Sequence, residues 1–227
     1  MTRTRQRWHW AGAAAALLLL TGMSSASVSV YAGGLPMEFN GWTNCVKMSN
    51  GDVELVLAPR IGGRIMAYRF PGGTNVAAVN PSYYGAEVAF APPKQVVYYG
   101  GSKMWPSPQN WGWPPNAYWE NAPNLLTQFS PLRVQMAAPR DAASLLRFTR
   151  SIELAPSGTV VTIRHMMENV TAAQRNNAIW TFNAFPRPST LIAPVGSSNW
   201  CSSGASVTAP WVQTNGVYYT DALTPTV

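Results

Sequence analysis

Apolar and polar residues alternate with period two along much of this chain. In SLLRFTRSIEL (Ser144 to Leu154), Leu146, Phe148, Ile152 and Leu154 fall on one face. A turn at Pro156-Ser157-Gly158 leads into Thr159 to Asn169, where Val161, Ile163, His165 and Met167 share a face. Shorter runs of the same character are VELVL (Val53 to Leu57), IGGRIMAYRF (Ile61 to Phe70), Asn75 to Asn80, QVVYY (Gln95 to Tyr99), Leu132 to Ala137 and NAIWTFNAF (Asn177 to Phe185). Each predicts a strand. Gly62-Gly63 marks a bulge or a point of close approach, and Pro71-Gly72-Gly73 a turn. No amphipathic helix stands out. Strands at this spacing, joined by turn residues, predict an all-β fold, an antiparallel sandwich or barrel.

One stretch breaks the pattern. Gly100 to Pro115, GGSKMWPSPQNWGWPP, holds Trp105, Trp111, Trp113, four prolines, three glycines and Lys103. Proline locks φ and lacks an N–H, so these prolines argue against a helix or a central strand and predict a stiff, irregular loop. A stiff loop loses little entropy when a ligand arrives. Indole faces suit the C–H faces of a sugar ring, and each indole keeps one N–H donor. Lys103, Gln109 and Asn110 add groups for hydroxyls. The equally weighted alternative is a Trp/Pro plug that closes one end of the β-domain.

The N-terminus reads as a signal peptide over residues 1–26. Arg3, Arg5 and Arg7 precede the apolar run Ala11 to Leu20, and Ser24-Ser25-Ala26 is a small-residue cleavage site. The run is short for a membrane span, so cleavage and export to the periplasm or beyond are expected, with no stable membrane insertion afterwards. The chain carries 16 basic and 9 acidic residues; without the three arginines, 13 basic residues remain and the net charge is +4. These are dispersed, which argues against nucleic acid as a partner. Residues 27–227 suit one domain with a proper core. An oxidising compartment would permit a disulfide between Cys45 and Cys201. Two thiols and His165 are too few for a structural zinc site, and no cofactor is implied.

The segment GWTNCVKMSNGDVELVLAPRIGGRIMAYRF (Gly41 to Phe70), the Trp/Pro stretch and the strand ending NNAIWTFNAF together resemble an uncharacterised bacterial domain family of the galactose-mutarotase-like (aldose epimerase-like) superfamily. The resemblance covers roughly Phe39 to Phe185. It implies an antiparallel β-supersandwich with a carbohydrate cleft on one concave sheet. The chain stops at Val227 without obvious closing strands, so the sandwich is expected to be incomplete towards its C-terminus, with an uncovered edge or apolar patch.

Chemistry is less well supplied. An epimerase of this superfamily uses a carboxylate base and a histidine acid, and where the histidine would follow the late strand this chain has Trp180, Thr181 and Phe182. His165, on an apolar strand face, reads as a core histidine ahead of a catalytic acid. Arg64 follows the glycine pair where relatives place sugar-contacting groups, and Lys103 is expected to seek a ligand, a carboxylate or a π-face. Asn75 and Asn80 read mainly as turn residues, and Glu87 and Glu120 as bases between which nothing decides. The expected function is an exported carbohydrate-binding protein, with Lys103, Trp105, Gln109, Trp111, Trp113 and Arg64 as sugar contacts. The alternatives are an epimerase-like isomerase, a sugar lyase or hydrolase, and a structural envelope domain.

Overall fold

The computed structural model describes residues 36–88, 97–141 and 145–186, together with the strands at 190–194, 212–214 and 217–221. The expected signal peptide at 1–26 and the expected partner of Cys45, Cys201, lie outside the described residues.

Six strands form one sheet: β1 (Pro36–Phe39), β2 (Trp42–Ser49), β3 (Glu54–Ala58), β4 (Arg64–Arg69), β5 (Ser102–Ser107) and β10 (Ala178–Asn183), in the order β1-β2-β3-β4-β5-β10. A second sheet holds β6 (Leu125–Ser130), β7 (Arg133–Ala137), β8 (Leu146–Leu154) and β9 (Val161–Asn169), paired in sequence order. All pairings are antiparallel. The sheets pack face to face through Val46, Met48, Leu55, Leu57 and Ile65 on one side and Leu126, Val134, Met136, Ile152 and Leu154 on the other. This is an all-β antiparallel sandwich, as the alternation predicts.

The outer face of the six-stranded sheet is also covered. Phe39, Trp42, Cys45, Val56 and Met66 pack there under Val97 and Tyr99 from the long β4–β5 connection. Here an expected strand is corrected. Of the described residues of Gln95 to Tyr99, none is in a strand, although Val97 and Tyr99 are buried while Tyr98 is 57% exposed. The period-two pattern is real, but it arises from a segment lying across a sheet without pairing to a neighbour. Asn75 to Asn80 is likewise no strand; its one ladder contact is the bridge from Val79 to Gly100. Cys45 is a buried free thiol that donates to the Trp42 carbonyl, and burial pushes it up to about 11.

The larger correction concerns the Trp/Pro stretch. Its first half is β5, a strand between β4 and β10, with Pro106 inside it. The sheet tolerates this proline because β4 meets β5 only at Ile65 and Ser102, so at Pro106 the strand has β10 alone as neighbour. On the open side the Trp111 indole donates to the Pro106 carbonyl at 3.0 Å. Only residues after Ser107 form the irregular loop, which leads into the single-turn α1 (Ala117–Glu120). Asn116 caps that turn by accepting from the Tyr118 N–H.

Beyond β10, where no closing strands are obvious in the sequence, the chain forms three more. β11 (Thr190–Pro194), β12 (Val212–Thr214) and β13 (Val217–Asp221) make a small sheet of their own, in the order β11-β13-β12. Among the described residues β10 remains one edge of the large sheet, β1 being the other. The inward residues Val161, Ile163, His165 and Met167 of β9 are only half-buried.

Candidate functional site

Two glycine pairs place the central charges. Gly62 and Gly63 have φ of +81° and +58°, and a Cβ on Gly62 would stand 2.3 Å from the Glu120 carbonyl oxygen. Only glycine allows that approach, so the pair is the close-contact point expected from sequence. It brings α1 down onto the start of β4, where Arg64 is 1% exposed. Gly100 and Gly101, also at positive φ, let the start of β5 close onto Ala78 and Ile65 in the same way.

Arg64, Lys103, Trp105 and Glu120 then converge. Glu120, fully buried at the end of α1, accepts from Arg64 Nη2 at 2.6 Å and from Lys103 Nζ at 2.6 and 2.7 Å through its two oxygens. The Trp105 Nε1 donates to Oε2 at 2.9 Å. Arg64 also donates to the carbonyls of Ile61, Gly100 and Glu120. A carboxylate with this many charged donors is held in one geometry.

Aromatic rings surround the charges. The Lys103 ammonium lies 4.1 Å from the Trp105 ring centroid and 5.3 Å from that of Phe182. Lys103 faces Phe182 across the β5–β10 ladder, and Trp105 faces Trp180. Trp105 is 5% exposed and meets Trp111, Trp113, Trp180 and Phe182 with centroid separations of 5.5 to 6.1 Å. Three of its neighbours are open: Trp113 is 53% exposed, and Trp180 and Phe182 are each 39% exposed.

Burial holds the Lys103 ammonium down to about 8; the Arg64 guanidinium pushes the same way and Glu120 opposes both. On the other side of β5, Arg150 occupies a slot in the otherwise apolar inward stripe of β8. It donates through both terminal nitrogens to the Ser102 carbonyl at 2.9 Å, and burial, then Arg64, pull its guanidinium down to about 9.

The expected site residues therefore divide. Arg64 and Lys103 are buried and paired; Lys103 has a carboxylate and a π-face, two of the partners expected for it, although it stands in β5 and not in a loop. Trp105 is a core ring, Trp111 is half-buried, and Trp113 and Gln109 are exposed. His165 lies apart, facing the inter-sheet core with Nδ1 3.2 Å from the Met104 sulfur; burial and then Arg150 lower its pKa. Asn75 holds its turn through Tyr68, Ala77 and Met66 backbone, and Asn80 caps a short 3-10 turn. Glu87 pairs with exposed Arg60. Sequence reasoning missed Trp180, Phe182 and Arg150. The signal for the first two was their i, i+2 spacing on a strand; for Arg150 it was a cation in register with Phe148 and Ile152. Among the described residues no group of three or more His, Cys, Asp or Glu side chains is placed to hold a metal ion.

Comparison of the chain with models of protein families, with curated proteins and with solved structures finds no match.

Proposed function

We propose that this chain is an exported carbohydrate-binding protein built on a galactose-mutarotase-like sandwich, and that its sugar platform is the aromatic surface around Trp105. One observation carries the reading: Trp113, Trp180 and Phe182 stand open to solvent around a single buried indole on one face of the sheet. Exposed aromatic rings grouped on a rigid strand are costly to leave in water and suit the apolar face of a pyranose. Lys103 and Glu120 hold the central indole from beneath, so the platform is preorganised.

Binding without turnover is the form of the proposal that the geometry favours. A general base needs a free lone pair directed at the substrate. Both Glu120 oxygens are buried and taken by cations, and His165 faces the opposite side of the sheet. A glycan-array screen of protein lacking residues 1–26, followed by tryptophan fluorescence titration of any hit, tests this. Saccharide binding that is lost in Trp113→Ala or Trp180→Ala is the expected result. An array with no hit above background would end the reading.

A further inference from the structure

Lys103 and Arg64 do more than hold Glu120. Both line a cavity of about 240 Å³ on the outer face of the sheet, with Phe182 and Tyr98 as walls and Asn80 and Gly100 at its rim. Phe182 is shared: it belongs to the exposed aromatic surface and also stands 5.3 Å from the Lys103 ammonium. The cavity therefore adjoins the platform at Phe182.

Its charge is unbalanced. The two buried cations that line it share one buried carboxylate, Glu120, which lies behind them and does not line the cavity. Arg150 approaches the same strand from the other side, and among the described residues its bonded acceptor is the neutral Ser102 carbonyl. The other buried carboxylate among the described residues, Asp141, is engaged by Asn116 at 3.2 and 3.3 Å. Two of the three ammonium protons of Lys103 go to Glu120; the third has no oxygen acceptor among the described residues. Buried cations in excess of their anions are unfavourable in a low-dielectric site, and an incoming anion relieves this. A neutral hydroxyl would not.

We propose that this cavity receives an anionic oxygen group of the saccharide, the carboxylate of a uronic acid or a sulfate ester, with Lys103 and Arg64 as its electrostatic partners and Phe182 stacked against the adjoining ring. This rests on the carbohydrate reading above and specifies its ligand class. No bond is made or broken.

The test is a titration of the protein lacking residues 1–26 at pH 6.5 with three probes of matched length. These are an oligogalacturonate, its carboxyl-reduced neutral counterpart and a sulfated galactose oligosaccharide. At least one anionic probe should bind tenfold or more tightly than the neutral one, and the advantage should shrink as salt rises from 20 to 300 mM. Uronate and sulfate are told apart by which of the two binds. Lys103→Met should remove the advantage; if that variant does not fold, the salt dependence of the wild-type preference decides. Equal affinity for charged and neutral probes overturns this inference and leaves the platform intact. Binding of none of them overturns it as well, and the glycan array then judges the platform separately.

Discussion

The Lys103 ammonium rests over the face of Trp105, 4.1 Å from its centroid, although both side chains leave the same strand two residues apart. The indole Nε1 and the ammonium also share one acceptor, the Glu120 carboxylate. Cation, ring and anion thus brace one another. Four consequences can be measured.

Glu120 holds more of the stability than Lys103. Glu120→Gln leaves Arg64 and Lys103 buried together without an anion, and a loss of about 3–5 kcal/mol is expected from chemical denaturation. Lys103→Met keeps Glu120 paired with Arg64 and Trp105 and also removes an ammonium that burial disfavours, so its loss should be at most about 1–2 kcal/mol. Equal losses would mean that the charges are not coupled as the distances indicate.

The indoles should separate stability from binding. Trp105→Ala removes a core ring and is expected to cost about 3–5 kcal/mol of unfolding free energy. Trp113→Ala should leave the melting temperature nearly unchanged while weakening saccharide binding by about 1–3 kcal/mol. A large stability loss at Trp113 with no change in binding would return the surface to a packing plug.

Lys103 should leave a mark on the pH dependence of stability. Its pKa is about 8 when folded against the ordinary 10.5. Between those values the unfolded chain binds more protons, so this group makes stability rise with pH from about 8 towards 10.5. The same difference penalises the folded state below pH 8. Subtracting the Lys103→Met curve from the wild-type curve isolates the effect, because Cys45 and Tyr99 titrate in both proteins. A flat difference across that window would refute the depressed ammonium.

Two glycines at positive φ should respond very differently to alanine. Gly51 has open space around its absent Cβ, so Gly51→Ala should cost only the left-handed backbone strain of about 1–2 kcal/mol. Gly62→Ala adds a collision with the Glu120 carbonyl, and a loss of about 2–5 kcal/mol is expected. Differential scanning calorimetry of the two variants is sufficient.

The sandwich itself was legible in the chain. β3, β4, β7, β8, β9 and β10 lie within two or three residues of the predicted runs, because a sheet with one covered face imposes a period of two that survives in the sequence. β1, β2 and β6 were missed, and β5 was read as loop. Trp42 to Ser49 has no clean alternation, its burial running buried, exposed, exposed, buried, buried, because both faces of the large sheet are covered in part. Val97 to Tyr99 shows the opposite error, an alternating segment that lies on a sheet without joining it.

By itself, then, the sequence determined the class of fold, the turn chemistry and the concentration of indoles in one stretch, since these depend on local conformational limits and on which side chains water rejects. It also marked Gly62-Gly63 as a contact point without saying what touches it. Only the tertiary structure decided that Glu120, Arg64 and Lys103 meet, that Pro106 lies in a strand, and that Trp113 is open while Trp105 is closed. Those outcomes depend on approaches between residues far apart in the chain, 56 positions for Arg64 and Glu120. An indole or an ammonium carries no local sign of whether its partner will be solvent, a ring or a carboxylate delivered by a distant turn.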